Sequence, residues 1–226
     1  MKNRVYMAYG VGANGVVEIV DRDKLLNGDP HDVFTPQISF FNTVDARQGG
    51  HTAFPIFGNK QDILLVTSEE GGNECVGTED HLAWLYDITN EANPSLLSTL
   101  SVPRNPGDFC NKGGRFGAHA STESFYQPYY GRLAIVSWFN AGVRVWDIRD
   151  PSNSVPVAYF IPAPNANTIQ NCATLPSGVV DCKNAVQTNN VELDDRGLIY
   201  LADRAGTGMH IVRLTGQAKA LVGENH

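Results

Sequence analysis

His51 and His119 lie 68 residues apart (51 to 119), and Asn190 follows His119 by 71 (119 to 190). Each stands near the start of a β-rich run: HTAFPIF, HASTESFY and, with Asn189, TNNVEL. Residues recurring at one interval converge if each begins an equivalent unit arranged about a common axis. Imidazole nitrogens converging with a carboxylate make a site for zinc, copper or iron. The carboxylates on offer are Glu69, Glu70, Glu123 and Glu192, and the expected divalent-metal set is His51, His119 and Glu123. The alternative use of the same histidines is to bond neighbouring loop backbone and fix the start of each unit.

A second constellation sits at strand ends. Asp203-Arg204 follows an apolar strand at the level held elsewhere by Ser68-Glu69 and Ser137-Trp138. Glu69, Glu70, Trp138, Asn190, Asp203 and Arg204 would line a polar funnel with an aromatic wall, suited to a protein or small-molecule ligand. A salt bridge between units would use Asp203 and Arg204 equally well. His81 and His210 fall on or near third strands, where a structural role is expected. Ser121 would share the face of His119, but no third group completes a triad, and GxSxG, Walker and HExxH motifs are absent. No residue is therefore assigned to catalysis.

The elements that must position these groups are short strands joined by turns. Gly131 to Pro162 shows the unit: Leu133 to Trp138, a turn at Asn140-Ala141-Gly142, alternating Val143 to Trp146, a turn at Asp150-Pro151-Ser152-Asn153, then Val155 to Ile161. Turn residues between β-branched runs are the hairpin signature. Tyr86-Asp87-Ile88 stands where Trp146-Asp147-Ile148 stands, and Gly208 to Leu214 parallels Gly142 to Ile148 with Arg213 at the aspartate position. The equivalent positions 21, 87, 147 and 213 are 66, 60 and 66 residues apart. A period in the sixties with about four strands per unit predicts an all-β fold, a β-propeller of four-stranded blades, with a β-sandwich as the competitor.

About four blades are expected, over residues 4–45, 51–102, 119–162 and 189–215. The first lacks its leading strand, so the chain reads as the C-terminal portion of a larger propeller. Residues 25–50 read as a connection and then a strand, Gln37 to Val44, residues 103–118 and 163–188 as irregular connections, and 69–80 as an acidic, glycine-rich excursion. Gly10 to Gly15 matches GxGxxG, but a dinucleotide fold needs a helix next, and Val16-Val17-Glu18-Ile19-Val20 is strand-like instead.

Composition restricts partners. A net charge of −7 without a basic block disfavours nucleic acid. No apolar run approaches the roughly 20 residues that cross a bilayer. Met1-Lys2-Asn3 leads straight into a strand, so this chain shows no signal peptide; it is either cytosolic or part of a longer protein, and the unit count favours the second. Cys172 and Cys182 flank a Pro-Ser-Gly turn, while Cys75 and Cys110 sit in Gly- and Asn-rich connections. Disulfides and four loop thiols both fit that pattern.

The VRVWDIRDPSNSVPVAYF stretch resembles the LVIVD-repeat family of β-propellers, and HTAFPI, GGRFGAHASTE and GLIYLADRAGTGMHIV are similar to segments of its bacterial secreted members. The resemblance covers about residues 45–215. It implies an extracytoplasmic protein acting as a binding scaffold, and a disulfide between Cys75 and Cys110. More distantly the chain is similar to selenium-binding proteins and methanethiol oxidases, propellers with histidine-rich metal sites. That likeness implies the alternative function, a metal-dependent oxidase or hydrolase. Relatives often carry a second histidine in the segment matching GAHASTE, where this chain has Thr122.

Overall fold

The computed structural model describes residues 2–10, 12–43, 49–58, 61–69, 82–174 and 177–223. Those residues form an all-β molecule of antiparallel sheets in which sequence neighbours pair. Sheet one holds β1 (Arg4–Ala8), β2 (Val16–Asp21) and β3 (Gln37–Asn42). Sheet two holds β4 (Gly49–Phe57), β5 (Asp62–Glu69), β6 (Ala83–Asp87) and β7 (Ser95–Leu100). Sheet three is β8 (Leu133–Ser137), β9 (Val143–Asp147) and β10 (Val155–Phe160). A separate hairpin pairs β11 (Gln170–Thr174) with β12 (Val180–Asn184), and sheet four is β13 (Thr188–Leu193), β14 (Ile199–Asp203) and β15 (Gly208–Val212).

Strand alternation explains how the sheets stack. Successive side chains point to opposite faces, so a strand that is apolar throughout is buried on both. Along β5, Leu64 and Val66 join Val17, Ile19 and Trp84 in the core between sheets one and two. Ile63 and Leu65 turn the other way, into a core shared with Ala134, Val136, Trp138 and Trp146 of the sheet-three region. Along β8, Leu133 and Ile135 face Val191, Ile199 and Leu201 of sheet four. The sheets therefore pack face to face in chain order. Each fully buried Leu, Ile or Val contributes about 1.5–3 kcal/mol.

The structure corrects two parts of the sequence reading. Arg22–Asn27, expected as the end of a hairpin (to residue 24) and the start of a connection, is a short helix capped by the Asp21 carboxylate, which accepts from the Asp23 and Lys24 backbone N–H groups. It buries no side chain, so it leaves no apolar periodicity in the sequence. Residues 163–188, read as loop, contain the β11–β12 hairpin, in which Cys172 pairs opposite Cys182 and is disulfide-bonded to it. Cys110 is also disulfide-bonded; Cys75, the partner implied by the resemblance, lies outside the described residues, as do Glu70 and His81. Among the described residues, no helix is long and apolar enough to cross a membrane.

Candidate metal centre

Three neighbouring sheets deliver one residue each to a common point through irregularities in their leading strands. In β4 the register shifts between Gly50 and Thr52, which leaves His51 as the extra residue of a β-bulge. In β13 the shift falls between Thr188 and Asn190 and singles out Asn189. Between them, residues 119–122 run as an extended segment along β8: the His119 N–H donates to Ser137 O and the Thr122 N–H to Ile135 O. A bulge re-aims a side chain out of the regular pleat.

Hydroxyl groups link these starts from sheet to sheet. Thr67 Oγ1 accepts from the Thr52 N–H and donates to the His119 carbonyl (2.6 Å). Ser137 Oγ repeats the pattern, accepting from the Ala120 N–H and lying 2.6 Å from the Asn189 carbonyl. His119 and Asn189 thus take equivalent places against Thr67 and Ser137, and His51 precedes Thr52 as His119 precedes Ala120.

The pair of imidazoles meets Glu69 at the end of β5. The ring centroids of His51 and His119 are 4.1 Å apart. His119 Nε2 lies 3.2 Å from Glu69 Oε1, and His51 Nε2 lies 3.8 Å from Glu69 Oε2. One ligand atom from each of the three residues falls within 4.8 Å of the others. Two guanidiniums approach the same carboxylate, Arg115 Nη1 at 3.1 Å and Arg204 Nη1 at 3.8 Å from Oε1. Both stand beside the Phe139 ring, at 5.5 and 5.8 Å from its centroid, within cation–π range. His119 packs on the same ring at 5.0 Å.

The proton on His119 can be placed. Its Nδ1 lies 2.7 Å from the Asn189 carbonyl oxygen. A carbonyl only accepts, so Nδ1 carries the hydrogen and Nε2 of the neutral ring carries a lone pair. Burial holds the imidazole below its usual range, the neighbouring His51 adds to that, and the Asn189 carbonyl and Glu69 oppose without overcoming it. The neutral ring therefore points an unprotonated nitrogen at a carboxylate oxygen, acceptor against acceptor.

Several groups expected at a funnel stand elsewhere. Trp138 is 1% exposed and packs on Trp146 in the core, so it offers no wall to a ligand; consecutive residues point apart, and its neighbour Phe139 is the ring at the site. Glu123 is not the carboxylate beside the two imidazoles. It lies near Glu192, whose carboxyl is raised by burial and then by the charge of Glu123. Asn190 Oδ1 accepts from the Asn189 side chain. His210 bonds Thr207 Oγ1 through Nε2, as a structural histidine would.

Asp203 is a turn cap. Its carboxylate accepts from the backbone N–H groups of Gln187 (2.6 Å), Ala205 (3.1 Å) and Thr207 (2.9 Å), and from the Thr207 hydroxyl. Burial alone would raise its pKa, but these bonds outweigh it and hold the carboxyl below the usual range. The turn so fixed begins with Arg204. A carboxylate depressed on folding stabilises in full above its unfolded pKa of about 3.9 and stops doing so as pH falls through its folded value. Asp203→Asn is therefore expected to lose at least about 1.5 kcal/mol at neutral pH and to flatten the acid limb of stability below about pH 4, measured by urea unfolding across pH.

Arg115 and Phe139 were not among the expected site residues. Arg115 is held by its neighbours: its N–H donates to Gln187 Oε1, and its carbonyl accepts from the Asn140 N–H. Asn140 Nδ2 also donates to the carbonyls of Phe109 and Gly113. The available signals were GGRFGA and the Trp-Phe-Asn turn, neither of which states what faces it across the chain.

The chain matches no family model and no curated protein. Among solved structures it is similar to apo AztD from Citrobacter koseri, with 13% identity and a TM-score of 0.40, over 95% of this chain and 46% of that one. The chain thus spans about half the length of that protein.

Proposed function

We propose that this chain is an extracytoplasmic binding scaffold, a run of β-propeller blades of the LVIVD-repeat type, that holds one divalent transition metal at His51, Glu69 and His119. The propeller reading is supported by four sheets stacked in chain order and by hydroxyl links that join equivalent positions of successive sheets. The extracytoplasmic reading is supported by the Cys172–Cys182 disulfide and the disulfide at Cys110, since such bonds persist in oxidising compartments.

The observation that carries the metal reading is the acceptor pair at His119 Nε2 and Glu69 Oε1, 3.2 Å apart. With the ring proton fixed on Nδ1, no side chain among the described residues bridges that pair. A cation between them would turn a repulsive contact into two bonds. Tetrahedral zinc bonded to nitrogen and oxygen at about 2.0–2.2 Å requires ligand atoms a little over 3 Å apart, which the His119–Glu69 separation meets. The Asn189 carbonyl is the outer partner that metal-bound histidines usually have. Three protein ligands leave coordination positions open, as in catalytic zinc sites; that favours the metal-dependent oxidase or hydrolase as the second reading.

Metal analysis of purified protein tests the proposal. One zinc per chain is expected in the wild type, and none in the His51→Ala, His119→Ala double variant. A metal-free wild type after zinc loading, or equal content in the two proteins, would sink it.

A further inference from the structure

Among the described residues, the positive groups around Glu69 outnumber the carboxylates once a cation is bound. One carboxylate then faces two guanidiniums and a divalent ion. Arg115 makes the close pair with Glu69, and Arg204 stands further off at 3.8 Å, beyond hydrogen-bonding distance. The Arg204 side chain is 43% exposed, and its one side-chain hydrogen bond among the described residues goes to Asn189 Oδ1 at 3.3 Å. Of the five N–H donors of a guanidinium, most therefore remain for a ligand. The group is nevertheless held in place, by the Asp203-capped turn, by the Arg204 N–H to Gln187 O bond, and by the Phe139 ring.

We infer that the ligand of this site is a small carboxylate, which places one oxygen on the metal and the other on Arg204. This rests on the metal reading above. A planar guanidinium matches a planar carboxylate through parallel N–H···O bonds. Arg204 lies within reach of the same Glu69 oxygen that faces the metal position, so one three-atom carboxylate group can span the two. Phe139 closes the site on one side with an apolar ring, which strengthens each charge interaction by excluding water. His51, with its side chain 31% exposed, marks an open side through which a ligand can arrive.

Cobalt(II) loaded in place of zinc gives visible bands that respond to a new oxygen ligand, and acetate serves as the probe. The wild type is expected to take up one cobalt per chain and to change spectrum on acetate titration. Arg204→Gln is expected to keep its cobalt and its unfolding temperature while needing at least tenfold more acetate for the same change. Arg204→Lys, which retains charge but not the fork, is expected to fall between them. A cobalt-loaded wild type whose bands ignore acetate would overturn the carboxylate inference and leave the metal reading standing. An Arg204→Gln variant that responds at the wild-type concentration would do the same. Failure of the wild type to bind cobalt would overturn the metal reading itself.

Discussion

Glu69→Gln is expected to weaken divalent-metal binding by more than about a hundredfold, whereas Glu123→Gln leaves it unchanged. Even outer partners of a metal ligand are worth about 10- to 100-fold in affinity, and an amide in place of an ionised ligand removes both a charge and a donor oxygen. Glu69 has an oxygen 3.2 Å from His119 Nε2 and another 3.8 Å from His51 Nε2. Glu123 instead lies close enough to Glu192 for its charge to raise that carboxyl, and it is not grouped with the two imidazoles. Competition titration against a chromophoric chelator reads both variants. Because Glu69 also pairs with Arg115, thermal unfolding should accompany it; the expected stability change is only about 1 kcal/mol, since the pair is partly exposed. Strong loss in the Glu123 variant with little in the Glu69 variant would refute the assignment.

Gly142→Ala is expected to destabilise the protein by roughly 3 kcal/mol or more. Gly142 has φ +77°, in the left-handed region that costs an L-residue about 1–2 kcal/mol. An added Cβ would also stand 2.1 Å from the Phe160 carbonyl oxygen and 2.8 Å from the Ile161 Cα, both backbone atoms that cannot swing away; overpacking of that kind adds about 1–3 kcal/mol. The turn it closes is tight: Trp138 N–H donates to Gly142 O, and Gly142 N–H to Phe139 O. The same turn sets Phe139 under the imidazole and guanidinium groups, so residual folded protein should bind metal more weakly. Gly178→Ala is the control, with φ +82° and open space around its Cβ; it should show the backbone cost alone. Equal losses in urea unfolding would mean that the contact with Phe160 carries no weight.

The repeat was legible because its determinants are local. Asp87 and Asp147 each accept the backbone N–H two residues on, from Thr89 and Arg149, so the same side chain in the same turn marks each unit. Alternating apolar strands likewise declare which residues are inside. The β11–β12 hairpin escaped because β12 is mostly exposed and lacks that apolar signal. The short helix α1 (Arg22–Asn27) escaped for the same reason.

By itself the sequence determined an all-β chain of repeating hairpins and brought forward His51, His119 and the Asn189-Asn190 pair as equivalents. Only the tertiary structure decided that Glu69 rather than Glu123 meets the imidazoles, and that Phe139 rather than Trp138 forms the adjoining ring. The reason is that a strand turns its side chains alternately to opposite faces, so a shift of one residue exchanges core for site. That shift is set by bulges at residues 51 and 189, and a bulge exists only relative to the strand it pairs with.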